Sequence, residues 1–509
     1  MVSAADPYVK RWGDVADATR GDVHYYNYED DCEDEDIYPT ARFVSEFGYQ
    51  SHPSLQTYID ALPAKGAAEH LVNGSEFLSF RQRHPNGDAQ MLRQLQRRFK
   101  VPAESSKGEE SSSSSSSSSS LPFGDYVYLT QVQQSRCYDT AIRKWRRGDG
   151  GGGAGAARGT MGVLYWQLND VWAGPTWSSV EHGGWRRKLL HHAVGRAFAP
   201  LAISVTSVTK KKKKTKKIIK KQNKKKVAAM VGRILEEDEE EVVELWSTCE
   251  CGAGASTEGW TGGSTGTGTA TVNVVSWSTG RVVHSIALPS FTSERFDSVK
   301  IFTGSMSDFL AAKCSFGECF LSISATLDFN DGNAGGIGGG GGGGGVDDGG
   351  GDDGGEKGAA VVETRKSRQE TIGEEWAAPS SCHAELEYFP DELSGDILPH
   401  AVIRVLDVTL RSPNSVVVTL KTSHPAAYVR VETSSTSSST TSRLVGTWSD
   451  AGFFMYPDRP VNLTFTSEDD IVDVHDFASS LTVTSLSDVL AKLPPANLSV
   501  GRSNAMSEE

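Results

Sequence analysis

Apolar positions follow three different spacings along this chain of 509 residues. Near the start they come in short runs, "GDVHYYNY" (21–28) and "RFVSEFGYQS" (42–51), and "GVLYWQLNDVW" (162–172) repeats the habit. Each run closes on polar or aromatic groups, and each predicts a strand. In "FLSFRQRHPNGDAQMLRQLQRRFK" and in "YVYLTQVQQSRCYDTAIRKWRR" the apolar residues recur at helical spacing. "GWRRKLLHHAVGRAFAP" predicts an amphipathic helix stopped by Pro200. From about residue 201 the pattern changes to β-branched runs at turn-rich intervals, such as "TATVNVVSWS", "CFLSISATLDF", "AVIRVLDVTL" and "SVVVTLKTS". That spacing predicts antiparallel sandwiches.

Four low-complexity insertions interrupt these patterns. They are a Ser-rich tract (105–120), a Gly-rich patch (148–156), a Lys-rich run (210–226) and a Gly/Asp-rich tract (331–360). They dilute the hydrophobic content to 38%, although the segments between them have an ordinary globular make-up. The lysine run invites a nucleic-acid reading, but it lacks interleaved aromatics and the acidic "EEDEEE" (236–241) follows closely. With a net charge of −14, no nucleic-acid partner is expected. No run approaches eighteen apolar residues, so no membrane span is expected. The opening "MVSAADPYVKRW" has no apolar core, so no signal peptide is visible in it.

Seven cysteines in this length do not predict a disulfide scaffold, and Cys314 with Cys319 reads equally as a bridge or as two thiols. Cys249 and Cys251 have the wrong spacing for a zinc knuckle, and no metal site is expected. Three sequons, at Asn73, Asn462 and Asn497, would permit N-glycosylation in a secretory compartment.

The chemistry-bearing feature is Glu46, a carboxylate within "ARFVSEFGYQS", where Phe43, Val44, Phe47 and Tyr49 read as buried. An ionised carboxylate among apolar neighbours costs several kcal/mol unless it is paired or used. Three strands separated by helices, functional at their carboxyl ends, describe part of a (β/α) barrel. In that geometry His24, Tyr25, Glu46 and Trp166 converge on one mouth. A carboxylate facing aromatic rings is the equipment of a sugar site.

These segments resemble the C-terminal part of the β-mannosidases of glycoside hydrolase family 2. "GDVHYYNYEDDC", "ARFVSEFGYQSHPSL", "TMGVLYWQLNDVWAGPTWSSVEHGGW" and "LLHHAVGRAFAPL" carry the likeness, with weaker matches further on. The resemblance implies the last strands of a (β/α)8 barrel within residues 1–200. Two immunoglobulin-like sandwiches would follow, over 201–390 and 391–490, and then a tail (491–509). It makes Glu46 the nucleophile on the seventh strand and places Trp166 against the mannose ring from the eighth. His24 and Tyr25 would line the pocket from the sixth. The implied activity is retaining removal of terminal β-D-mannose from oligosaccharides, without metal or organic cofactor, in a lysosomal, vacuolar or secreted setting. The family's acid/base is a Glu directly after Asn on the fourth strand, and no Asn-Glu dipeptide occurs in this sequence. The chain is therefore expected to be a fragment whose partner is a missing N-terminal half. The alternative is an inactive module that binds glycan or protein through its sandwiches.

Overall fold

The computed structural model describes residues 22–62, 70–102, 121–148, 160–211, 239–251, 265–310, 313–315, 317–329, 381–389, 398–433, 444–471 and 473–493. The Ser-rich and Gly/Asp-rich insertions, most of the Gly-rich patch and lysine run, and residues 494–509 of the tail lie outside them. Strand β1 (Val23–Tyr25) runs parallel to β2 (Val44–Phe47), with His24 opposite Glu46. Val44 and Phe47 are fully buried, which anchors β2, but Phe43 is 39% exposed and lies against Gly162 rather than in the core.

The third predicted strand is not continuous. It joins β2 in the same sense around one bridge, Val44 to Val163, where Val44 donates to Gly162 O (3.0 Å) and Leu164 donates to Val44 O (2.8 Å). Further along, Gln167 and Asp170 donate to the Trp177 and Val180 carbonyls (3.2 and 3.0 Å), while Val163 and Tyr165 pack against the core below β2. Met161, Leu164 and Leu168 stand 73%, 55% and 60% exposed.

Helices α1 (Leu55–Ala61), α2 (Glu76–Arg81) and α3 (Gly87–Arg98) follow β2. The helical pattern of 77–100 breaks where Asn86 takes a left-handed φ of 60° ahead of Gly87. The long α4 (Phe123–Arg147) buries Tyr138 and Trp145 under β1 and β2, beside Phe47. Helix α5 (Leu189–Ala197) starts later than its amphipathic pattern, because Arg187 is still in an extended bridge with Val180.

The next strands are β3 (Leu201–Lys211), β4 (Glu239–Cys249), β5 (Thr265–Ser276), β6 (Val282–Ala287), β7 (Phe291–Glu294) and β8 (Asp297–Ser305). Helix α6 (Met306–Leu310), β9 (Cys319–Phe329) and β10 (Ser381–Tyr388) complete this part. Sheet β3-β4-β8 and sheet β10-β9-β5-β6, with β7 beside β5, share a core of Ile203, Leu245, Val272 and Ile323. The period-2 alternation of β5, exposed then buried from Thr265 to Ala270, is what one covered face requires. The β3–β4 register sets Lys210 and Lys211 opposite Glu240 and Glu239.

The last part comprises β11 (Ile403–Ser412), β12 (Ser415–Thr422), β13 (Ala426–Thr433), β14 (Gly446–Trp448), β15 (Phe453–Met455) and β16 (Val461–Ser467). Helix α7 (Val474–Ser480), β17 (Leu481–Thr484) and α8 (Leu486–Leu490) close it. Sheets β11-β12-β16-β14 and β15-β13-β17 enclose Val416, Val418, Val429 and Phe465.

One apolar cluster runs through all three parts. Leu129 of α4, Trp277 and Phe320 of the middle part, and Ala427, Tyr456 and Leu486 of the last belong to it. Tyr128 adds a hydrogen bond to the Tyr428 carbonyl (2.6 Å). Six cysteines are paired, as Cys32–Cys137, Cys251–Cys382 and Cys314–Cys319, leaving Cys249 as a buried thiol. Two of these bridges join residues 105 and 131 positions apart, which no local spacing announces.

Candidate functional site

At the carboxyl end of β2 the side chain of Glu46 is 20% exposed. Its two oxygens meet different neighbours. Tyr26 donates its hydroxyl to Oε1 at 2.7 Å, and His24 Nδ1 stands 3.9 Å from Oε2. The far side of the imidazole, Nε2, faces Asp22 Oδ2 at 3.3 Å, so Asp22 reaches Glu46 only through His24. Burial raises the Tyr26 hydroxyl well above the usual phenol range, and its hydrogen bond and proximity to the Glu46 charge raise it further. Tyr26 thus keeps its proton at any physiological pH and remains a donor to Glu46.

Aromatic rings wall this carboxylate on one side. Tyr26 lies edge-on to Trp177, with centroids 6.4 Å apart, and Trp177 donates its indole N–H to Tyr28 Oη at 2.8 Å. His84 packs against both Tyr28 and Trp177. Trp166 donates its backbone N–H to the Phe47 carbonyl at 2.8 Å, one residue beyond Glu46, and the residue is 44% exposed.

Gly48 allows that approach. A Cβ there would lie 2.4 Å from the Trp166 carbonyl and 2.8 Å from the Trp177 ring. Any larger residue would push the aromatic segment away from the strand end.

Of the four residues expected from sequence, the structure brings His24, Glu46 and Trp166 to one strand end and takes Tyr25 elsewhere. The Tyr25 hydroxyl donates to the Ile37 carbonyl, and its ring packs on Tyr38 and Trp145 in the core below. The physical reason is strand parity. Tyr25 is the last residue of β1, and its neighbour Tyr26 emerges on the Glu46 side. Tyr26, Tyr28, Gly48 and Trp177 are site residues that the sequence reading missed. The repeated tyrosines of "HYYNY" signalled an aromatic mouth without saying which rings face it.

A buried polar network holds the strand end against the aromatic segment. From α4, Gln134 donates to the Tyr49 carbonyl (2.7 Å) and accepts from the Ser51 hydroxyl (2.7 Å), while Gln131 donates to the His52 carbonyl (3.0 Å). Ser51 and Thr176 exchange backbone hydrogen bonds at 2.9 and 3.0 Å. Over that bridge lies Lys188, fully buried, whose ammonium donates to the carbonyls of Ser51 (3.1 Å) and Thr176 (3.2 Å). Burial lowers its pKa, while the Asp170 and Glu181 charges act in the opposite sense.

Removing the ammonium strips two carbonyls of a donor in a dry site. Lys188→Met is expected to cost about 1–3 kcal/mol and to red-shift tryptophan emission as Trp177 loosens. Chemical denaturation monitored by fluorescence checks both, and an unchanged midpoint and spectrum would remove Lys188 from this role.

A cavity of about 880 Å³ lies away from Glu46, between α4, β10 and the last part of the chain. Much of its charge is internally paired, Glu33 with Arg98 and Arg136, and Asp139 with Arg143. Its lining also holds Glu387, which accepts from Tyr456 Oη at 3.2 Å, with Phe389 beside it.

A family model described as an Ig-fold domain, Ig_mannosidase, matches residues 398–489. The chain is 42% identical to the beta-mannosidase of Mus musculus over 186 residues, which is 36% of this chain and 18% of that protein. It is 32% identical to beta-mannosidase A of Emericella nidulans over 207 residues, covering 40% of this chain and 21% of that one. Among solved structures, the crystal structure of Beta-D-Mannosidase from Dictyoglomus thermophilum superimposes with a TM-score of 0.55 at 15% identity, over 93% of this chain and 41% of that chain. The match to each of these curated relatives thus spans about a fifth of its length.

Proposed function

From this likeness to β-mannosidases, we propose that the chain carries the nucleophile half of a retaining β-mannosidase site. Its three parallel segments are then the last strands of a (β/α)8 barrel. The observation that carries the reading is Glu46, held by Tyr26 on one oxygen and approached by His24 on the other, with the Trp177 ring beside Tyr26 and Trp166 bonded through its backbone to Phe47. Glu46 attacks the anomeric carbon and forms a glycosyl ester, which water then hydrolyses. Tyr26 donates to the carboxylate in the resting state and must give up that bond as Oε1 becomes an ester oxygen, a change that favours turnover of the intermediate. Trp166 offers an apolar face for the sugar ring. His24, poised between Asp22 and Glu46, orients the carboxylate. No metal or organic cofactor enters these steps.

The mechanism needs a second carboxyl about 5–5.5 Å from the first to protonate the leaving oxygen. No Asn-Glu pair of the kind the family uses occurs in this sequence. We therefore assign the acid to a complementing N-terminal segment. Loss of acid assistance costs about 10²–10⁴-fold, so the 509-residue chain should hydrolyse aryl β-mannosides at background rate alone and measurably after mixing with the N-terminal half of a β-mannosidase. Full activity from the chain by itself would show that another carboxylate here serves as acid. The second reading, a binding module, would be indicated if the complemented protein bound β-mannosides without turnover.

A further inference from the structure

The cavity between α4, β10 and the last part of the chain plays no part in the proposed reaction, yet it is furnished for a ligand. Its volume of about 880 Å³ falls within the range of small-molecule sites, roughly 300–1,000 Å³, and such sites favour the seams between domains. Its lining includes a pair of rings. Phe389 and Phe454 stack with centroids 5.7 Å apart and planes 29° apart, and both are only half-buried although they pack against the shared apolar cluster.

Two polar groups stand beside those rings. Glu387 takes the Tyr456 hydroxyl on Oε1 at 3.2 Å, and among the described residues its Oε2 has no side-chain partner. Burial raises the Glu387 pKa, with Glu385 adding to it and the Tyr456 bond and Arg196 acting against it. A hydroxyl bonds more strongly to such a carboxyl than to one in open water. Tyr428 Oη accepts from Arg136 Nη1 at 3.3 Å, and its own proton has no acceptor among the described residues. Tyr428 also has a φ of 53°, in the left-handed region that bulky residues seldom enter. Its carbonyl is held by Tyr128 and its ring lines the cleft. Strain of this kind collects at ligand sites.

The charges narrow the class of ligand. Glu33 and Asp139 are spent on Arg98, Arg136 and Arg143. The groups left over are mainly acidic, Asp34, Asp36, Glu385 and Glu387, while Arg459 lies over the Tyr456 ring. An anion would meet those carboxylates. A cationic amine would suit Glu387 but would face Tyr428 Oη, which has only its proton to give. A sugar hydroxyl both donates and accepts, and the apolar face of a pyranose suits the stacked rings.

We propose that this cleft binds a neutral oligosaccharide, at a site separate from the Glu46 mouth. One sugar ring lies on Phe389 and Phe454, a hydroxyl donates to Glu387 Oε2, and another accepts from Tyr428 Oη. No bond is made or broken there. The assignment does not use Glu46, so it stands apart from the proposed hydrolysis.

The test titrates linear β-1,4-mannotriose and chitotriose, both neutral, into the full 509-residue chain by calorimetry. At least one should bind, with the same Kd in Glu46→Ala. Glu387→Gln should weaken binding about tenfold, and Tyr428→Phe about three- to tenfold. Hydrogen exchange of the wild-type chain with the sugar should show protection in 381–389 and 452–461, a readout that needs no variant to fold. Absence of heat with both sugars would overturn the proposal. So would protection confined to 42–51, or binding unaltered in both cleft variants. Tighter binding of spermine than of either sugar, with protection in the same peptides, would make the site one for amines and overturn the sugar assignment.

Discussion

Replacing Glu46 by alanine in the complemented enzyme should abolish hydrolysis of an aryl β-mannoside, with a loss of roughly 10⁴–10⁶-fold. The size follows from the role, because without the nucleophile there is no covalent route and only binding and leaving-group protonation remain. The fold should survive. Glu46 sits at a strand end, and its removal frees one hydroxyl, Tyr26 Oη, which is near enough to the surface to find water. A small anion such as azide would fit the space vacated and attack from the same face, giving an α-configured mannosyl azide. Near-normal turnover by the variant, or a thermal midpoint lowered by tens of degrees, would defeat the assignment.

Acidification should unfold the protein in two overlapping steps. Burial, assisted by the neighbouring Lys188 charge, lowers the His52 pKa from 6.5 to about 3. The unfolded chain therefore takes up a proton at His52 below pH 6.5 that the folded chain refuses until about pH 3. Stability present above that window is lost as pH falls through it, at a cost of about 5 kcal/mol. Glu33 acts in the same direction at lower pH. Burial tends to raise its pKa, but Arg136, Arg98 and Gln133 outweigh that and hold it at about 2 rather than 4.5. Its contribution, of order 3 kcal/mol, disappears between those two values. Urea midpoints measured from pH 7.5 to 3 should fall steadily, and His52→Gln should flatten the upper part of the curve alone. A flat wild-type profile between pH 6.5 and 4 would contradict the account.

Much of the scaffold was legible in the sequence because periodicity reports directly on burial. Helix α4 and the strands around Val272, Ile323 and Val418 alternate or recur as their covered faces demand. Glu46 was legible for a different reason, since a charge among buried neighbours needs an explanation. Where reading failed, the deciding contacts were not local. Tyr25 and Tyr26 differ only in which side of a three-residue strand they leave from, and that is set by Ile37 and Trp145. The apolar run 162–172 had the composition of a strand but pairs only at single bridges, Val163 with Val44 and Asn169 with Val180. Lys188 lay inside an amphipathic pattern, yet the chain stays extended through it and carries its ammonium to the Ser51–Thr176 bridge. The pairing of Cys32 with Cys137 depends on α4 passing behind the β1 loop, a tertiary fact with no trace at either cysteine.

The cluster that threads Leu129, Trp277, Phe320, Ala427 and Tyr456 has a bearing on how this molecule came to be built. Domains joined by polar linkers can be exchanged or discarded singly, because each keeps its own interior when its neighbour leaves. Here the rings of Trp277, Phe320, Phe389 and Phe454 stack across the boundary between the two sheet pairs, with centroids 4.3–6.1 Å apart. Cutting at that boundary would expose a greasy surface on both products. Inheritance of one part therefore obliges inheritance of the others.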